Sequence, residues 1–568
     1  MTLQADLNTV TAKLDADATT ITALLNQPPS GPSTATYTLP SGYAVTIDSN
    51  GISSVTNQGG QVAAGLLQMV WGKWSYQAYS SAGFKLTIIQ KSCSNTATGA
   101  TVVHDYTGSV NAHVVYTYVI NGNVIDISAL VVNTGSSDIP ITAFASPRFL
   151  FDSWSTAKAS SNQLGWDQSH SQNSAANFNI ILSYPSSNVP LAATYVKTLA
   201  GSGKPINFCT WSSGSPFDWF MTMGNTLYPN PGTCLSNFFF KNVPVGGSQV
   251  FKFSYLFSDS TDPFVLLQPY KDFLRSKLPV QYNPDARPWT SFTSINTSSI
   301  RPDNPYGYND AGTNLIRRFD KLTGCQDYIT KLVGPLTTNG YQGIILWQPQ
   351  GINPRGVQYR PDFNVWPSVS VPNIPVLFGG FTSAGLRLGL QARPSVTVTS
   401  ATWDTDTLTG LNDLKYSWDD LSVRLKWATD RGVTAFYLDS FVNSQTDHAV
   451  LQKMRTQLGS EVQLFTEGTT ILSLPLAGVY LPFTYTNGSY VFYKNYAAFK
   501  FIYPEANYFA IFGGTLPPGG YQALYTYMFQ NKLSPVVEDY RVYNNLNNEN
   551  AIIKALVPQY IDSNNHWI

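Results

Sequence analysis

The sequence predicts a multi-domain chain: an N-terminal coiled-coil helix, an antiparallel β-sandwich and then a (β/α)8 barrel. Three observations predict it. Leu3, Leu7, Val10, Leu14, Ile21 and Leu24 recur at alternating steps of four and three, interrupted only by Asp17 at an expected apolar position, and this is a heptad seam. Residues 37–258 carry short alternating or β-branched runs punctuated by Gly, Asn and Ser, with helical periodicity nearly absent. After Arg287 strand-like runs alternate with helix-like ones, and eight strand candidates over about 275 residues match a (β/α)8 barrel in number and size.

Residues 1–27 form the heptad helix. About 24 helical residues are marginal as an isolated helix in water, so the stripe needs a partner. The partner is either a parallel homo-oligomer or the chain's own globular body, and the homo-oligomer is the expectation. Pro28-Pro29 end the helix, and residues 28–36 read as a linker. The sandwich follows in runs such as YAVTID, HVVYTYVI, NVIDISALVV and QVFKFSYLF, without the fixed repeat of a propeller or solenoid. Residues 259–287 read as a connecting helix and strap, and 288–568 as the barrel. Its strand candidates lie at 289–295, 343–348, 386–392, 434–440, 462–468, 478–485, 508–514 and 534–540. A doubly wound sheet would carry a Gly-rich fingerprint at its first turn, and this sequence has none.

Composition narrows the partners. Of the 568 residues only 12% are charged, while 43% are hydrophobic and 14% aromatic, so uncharged polar residues must build the surface. Thirty-four basic and 34 acidic side chains cancel, which leaves no global field for nucleic acid or anionic lipid. Aromatics over a Ser, Thr, Asn and Gln background suit a neutral, hydrogen-bonding partner such as a carbohydrate. No apolar run is long enough to span a membrane, and the N-terminus lacks the basic and apolar regions of a secretory signal. Cys93, Cys209, Cys234 and Cys325 form no CxxC pair, and neither metal nor other cofactor is expected. Cys209 and Cys234 are spaced for a possible bridge, with buried free thiols the competing reading.

In such a barrel the reactive groups sit at the carboxyl ends of the strands. Asp439 ends the run Ala435-Phe436-Tyr437-Leu438, and Glu467 ends Val462-Gln463-Leu464-Phe465-Thr466. One βα unit separates them, which places them on neighbouring strands about 4.8 Å apart. Retaining glycosidases hold their two carboxyl groups about 5 to 5.5 Å apart, so the spacing suits double displacement. The competing reading is that both acids serve as helix caps or ion-pair partners in βα loops.

The stretch Gly385-Leu386-Arg387-Leu388-Gly389-Leu390-Gln391-Ala392-Arg393-Pro394, followed by Gly432-Val433-Thr434-Ala435-Phe436-Tyr437-Leu438-Asp439-Ser440-Phe441, resembles the third and fourth barrel strands of the α-glucosidase/α-galactosidase superfamily of retaining glycoside hydrolases. The resemblance implies that Asp439 is the nucleophile. It covers the order of both large domains, but its sharp motifs span only some 60 residues. One departure stands out: those enzymes place an acid/base Asp on the sixth strand, and GVYLPFTYTNG has no carboxylate. A Glu on the fifth strand is similar to the arrangement in endo-α-N-acetylgalactosaminidases and α-amylases, and implies Glu467 as acid/base.

Supporting residues follow from position. Trp347 and Gln348 after the second strand, and Arg393 after the third, should face the same mouth, Trp347 for stacking and Arg393 for holding Asp439 ionised. Tyr306, Tyr308 and Asp310 form a polar aromatic loop after the first strand, and Glu538 or Asp539 at the last strand supplies a third acid, with Asp539 the expected substrate contact. The expectation is a retaining glycoside hydrolase acting on α-linked glycans, extracellular, on a cell surface or on a virion, and tethered through residues 1–27. The alternative is a fibre or virion subunit that binds glycans on a glycosidase fold without cleaving them.

Overall fold

The computed structural model describes residues 34–568 except 59, 65–67, 72, 76–77, 81–85, 109, 140–141, 146–147, 150–179, 185–188, 199–204, 215–218, 224–234, 240–241, 261, 292–301, 303–305, 307–316, 352–362, 395–417, 440, 442–444, 468–470 and 493–495. The heptad segment therefore lies outside the described residues. Two compact units divide the chain, one holding nearly all described residues up to Leu274 and the other Arg275–Ile568.

Antiparallel sheets build the first unit. An eight-stranded sheet places Ser248–Phe257, Val124–Asn133, Ala112–Asn121 and Gly99–Gly108 side by side, and a five-stranded sheet begins with Thr34–Thr38, Tyr43–Asp48 and Gly51–Asn57. Strict alternation explains them: Tyr43, Val45 and Ile47 are buried while their neighbours face outward. The two sheets pack together through these inward positions. The Tyr43 ring lies 5.6 Å from Phe257, its hydroxyl accepts the Asn207 N–H at 2.9 Å, and the Tyr37 hydroxyl donates to the Gly99 carbonyl. Cys93, Cys209 and Cys325 are buried free thiols, and Cys234 lies outside the described residues. The helix Pro263–Lys277 leads into the second unit.

That unit is a closed parallel barrel. Its strands are β1 (Trp289–Ser291), β2 (Gly343–Leu346), β3 (Arg387–Ala392), β4 (Val433–Leu438), β5 (Gln463–Thr466), β6 (Gly478–Thr486), β7 (Tyr508–Phe512) and β8 (Ser534–Glu538). Each pairs with the next, and β8 pairs with β1 to close the ring. All eight expected strands are present in the expected order. The outer helices are α1 (Leu322–Thr338), α2 (Ile374–Thr382), α3 (Trp418–Thr429), α4 (Gln445–Leu458), α5 (Ala497–Ile502), α6 (Gly520–Gln530), α7 (Asp539–Asn544) and α8 (Glu549–Tyr560).

The interior is packed and largely aromatic. Trp289, Ile345, Ala435, Tyr437, Phe465, Phe509 and Val536 form its core, with Trp347, Tyr480 and Ile511 against it. Phe465 meets Phe509 edge-on at 4.2 Å and Trp289 edge-on at 5.1 Å, the geometry that ring quadrupoles favour. Gly389 has no side chain for a packing reason: a Cβ there would lie 3.1 Å from Ile345 on β2 and 3.2 Å from Ala435 on β4.

One buried titratable group couples this unit to pH. His448 on α4 is 3% exposed, and burial lowers its imidazole to about 4. The unfolded chain would titrate it near about 6.5, so between those pH values unfolding takes up a proton and stability falls as pH falls. We expect acidification from about pH 7 to about pH 4.5 to remove up to about 3 kcal/mol through this residue. Thermal denaturation across that range checks it, since His448→Gln should flatten the pH dependence and an unchanged slope would refute it.

Candidate active site

Barrel alternation decides what the mouth contains. On β4 the Tyr437 side chain packs into the interior, so Asp439, two residues on, points inward at the carboxyl end. On β5 Phe465 is interior, and the same step aims Glu467 inward. The ladder continues through both acids: the Asp439 N–H donates to the Ala392 carbonyl at 2.9 Å and the Glu467 N–H to the Leu438 carbonyl at 3.1 Å. Register therefore delivers the two carboxylates from adjacent strand ends. Both residues are half-buried.

Gln391 on β3 orients the first of them, its amide Nε2 donating to Asp439 Oδ2 at 3.2 Å. Gln391 was not singled out in the sequence, though its place two residues before Arg393 puts it on the same inward face. Arg393 itself is half-buried at the mouth end of β3.

Trp347 and Tyr437 form the floor. Their ring centroids are 4.7 Å apart, so one face of the indole is taken up by packing, and the buried Trp347 Nε1 has no hydrogen-bond partner among the described residues. Tyr480 from β6 closes the floor, edge-on to Tyr437 at 5.1 Å. These three rings, with Ser291, Phe465 and Val536 among others, line a small cavity of ≈ 20 Å³. Gln348 is buried and adopts φ +52°, a left-handed backbone that costs a non-glycine residue roughly 1–2 kcal/mol and turns the chain sharply after β2.

Tyr480 was also missed, and it stands where the sixth strand lacks a carboxylate. Burial raises its phenol well above the usual value, and the negative charges of Glu467, Asp439 and Glu538 raise it further. Among the described residues, three acids thus lie near enough to act on this phenol. The third is Glu538 and not Asp539. On β8 Val536 is interior, so Glu538 points inward, whereas Asp539 opens α7 on the other side of the chain. Asp539 is fully buried, accepts the Arg317 guanidinium through Nε at 2.9 Å and Nη2 at 2.6 Å, and accepts the Tyr328 hydroxyl at 2.8 Å. The expected substrate contact at Asp539 is thereby corrected: its carboxylate is committed to the barrel wall.

Of the loop after β1, Tyr306 is half-buried, and Tyr308 and Asp310 lie outside the described residues. Among the described residues no group of three or more His, Cys, Asp or Glu could hold a metal ion, and no helix is long and apolar enough to cross a membrane.

No protein-family model matches this sequence, and no curated protein sequence matches it either. Solved structures do. The alpha-N-acetylgalactosaminidase NagBb from Bifidobacterium bifidum, in complex with GalNAc, aligns with a TM-score of 0.54 and 11% identity over 93% of this chain and 93% of that one. Its ligand-free form aligns with a TM-score of 0.53 and 10% identity over 92% of each chain. A GH36 alpha-galactosidase, AgaB from Geobacillus stearothermophilus, aligns with a TM-score of 0.46 and 10% identity over 95% of this chain and 87% of that one. Antiparallel sheets followed by a closed (β/α)8 barrel give this chain the fold seen in the Bifidobacterium bifidum alpha-N-acetylgalactosaminidase.

Proposed function

We propose that the chain is a retaining glycoside hydrolase acting on terminal α-linked sugars, with Asp439 as nucleophile and Glu467 as acid/base. The observation that carries this reading is the pair of inward carboxylates on adjacent strand ends, held in register by the Asp439 and Glu467 backbone bonds. Side chains on strands about 4.8 Å apart can hold the separation of about 5 to 5.5 Å that double displacement needs. In the first step an Asp439 oxygen attacks the anomeric carbon, the bond to the leaving oxygen breaks, and that oxygen takes the Glu467 proton. In the second, Glu467 takes a proton from water, whose oxygen attacks the anomeric carbon and expels Asp439 as a free carboxylate. The Gln391 amide steadies Asp439, and the aromatic floor of Trp347, Tyr437 and Tyr480 offers apolar surface to a sugar ring.

The printed activities of the structural neighbours make α-galactosides and α-N-acetylgalactosaminides the first substrates to try. Proton NMR during cleavage of 4-nitrophenyl α-galactoside or its 2-acetamido-2-deoxy analogue should show the α-anomer of the free sugar first. Initial release of the β-anomer would refute the retaining assignment. A folded chain that binds these sugars and cleaves none would leave the glycan-binding appendage in its place. The tether through residues 1–27, and with it an extracellular or virion setting, is a further part of the proposal that rests on heptad spacing. Light scattering of the full chain tests it, and a monomer would remove it.

A further inference from the structure

Double displacement uses two carboxylates, and among the described residues the mouth has three. Glu538 is left without a step. In ring order β8 lies four strands from β4, so Glu538 and Asp439 enter the mouth from opposite walls, while Glu467 enters beside Asp439. The register of β8 with β1 sets Glu538 level with Ser291, and the interior position of Val536 fixes which way the side chain points. Burial together with the nearby Glu538 charge raises the Tyr540 phenol to about 12. Tyr480 faces it from the floor. Strand order and register thus put the carboxylate on the wall away from the reacting pair.

An ionised carboxylate only accepts hydrogen bonds, and its two oxygens match a pair of neighbouring hydroxyls. A sugar whose anomeric carbon lies against Asp439 extends the far side of its ring across the mouth, where hydroxyls and no leaving group arrive. We infer that Glu538 is a specificity-determining residue that accepts hydrogen bonds from two adjacent hydroxyls of the terminal sugar on the side of the ring remote from the cleaved bond, so that the site selects a neutral polyhydroxylated sugar. The inference rests on the function proposed above and adds the group that reads the substrate.

The test compares the full chain with Glu538→Gln, which keeps the size and removes the charge. The probes are 4-nitrophenyl α-galactoside and its 3-deoxy, 4-deoxy and 6-deoxy analogues. Glu538→Gln should lower kcat/KM for the parent by about 10- to 100-fold, mainly through KM, and leave both limbs of the pH profile in place. The wild-type chain should discriminate against at least one deoxy analogue, and the variant should lose that discrimination. Equal discrimination in both proteins would overturn the inference. So would loss of the acidic or basic limb in the variant, because Glu538 would then be moving a proton. Direct binding separates this from the parent reading. Galactose titrated against the intrinsic fluorescence of the protein, with Trp347 in the floor, should bind the wild type and bind Glu538→Gln more weakly even if neither hydrolyses anything. Equal galactose affinity in the two proteins would refute the inference alone.

Discussion

Changing Asp439 to asparagine should lower kcat/KM for an aryl α-glycoside by about 10³-fold or more, because an amide oxygen cannot form the glycosyl ester and the covalent route closes. Asparagine keeps the side chain's size and can still accept the bond from Gln391 Nε2, so the fold should survive and the loss can be read as chemistry. The same logic separates the two acids. In an Asp439→Gly variant, azide can occupy the vacated face and attack an activated α-glycoside directly, giving the β-glycosyl azide by one inversion. In Glu467→Ala, azide attacks the glycosyl-enzyme and gives the α-azide by two inversions. The anomer of the azide product, read by NMR, therefore identifies which carboxylate was removed. Activity that survives Asp439→Asn would place the nucleophile elsewhere, and α-azide from the Asp439→Gly variant would reverse the two roles.

The barrel was legible because its signal is strong and local. Apolar runs such as GIIL, LGLQA and AFYL are buried on both faces, and each is bounded by turn residues, so all eight strands could be read without knowing their partners. The acidic ends of β4 and β5 were legible for the same reason: each follows a run whose length and phase are plain. The last strand was harder. In SPVVEDY two acids stand side by side, alternation sends them to opposite faces, and the choice between them depends on whether Val536 or Val537 looks inward. Val536 does, so Glu538 enters the mouth and Asp539 enters the wall. The partner that makes Asp539 structural, Arg317, lies 222 residues away in sequence, and no local pattern announces a contact of that range. Tyr480 was hidden differently. The sixth strand was read for the carboxylate it lacks, and the residue at the inward position went unremarked, although the period of two would have named it. The hairpin strand Ser489–Phe492, which pairs with the end of β6, was also missed, despite the Asn487-Gly488 turn between its arms.

The second large effect concerns stability. Asp539→Ala should destabilise the barrel by about 3–5 kcal/mol, a large part of the roughly 5–15 kcal/mol that holds an ordinary domain folded. The reason is the partner left behind. Arg317 and Asp539 are both fully buried, and the carboxylate answers two guanidinium N–H groups, the Tyr328 hydroxyl and the backbone N–H of Tyr540 at 2.8 Å. With the carboxylate gone, a guanidinium in a dry wall loses two charge-assisted hydrogen bonds and the opposite charge beside it, and the Tyr328 hydroxyl loses this acceptor. The intact pair itself contributes little, because desolvating two ions offsets most of their attraction. Replacing both partners should therefore do less harm than replacing one: Arg317→Met with Asp539→Leu is expected to recover at least half of the loss, as read from urea denaturation of the single and double variants. This outcome also separates wall from mouth. A substrate-binding Asp539 would make Asp539→Ala nearly neutral in stability and severe in KM, whereas the wall residue described here makes it severe in stability before any substrate is added. A single variant within about 1 kcal/mol of wild type would contradict the buried pair and return Asp539 to the mouth, and the assignment of Glu538 to the remote side of the sugar would fall with it, since the two faces of β8 cannot exchange one acid without exchanging the other.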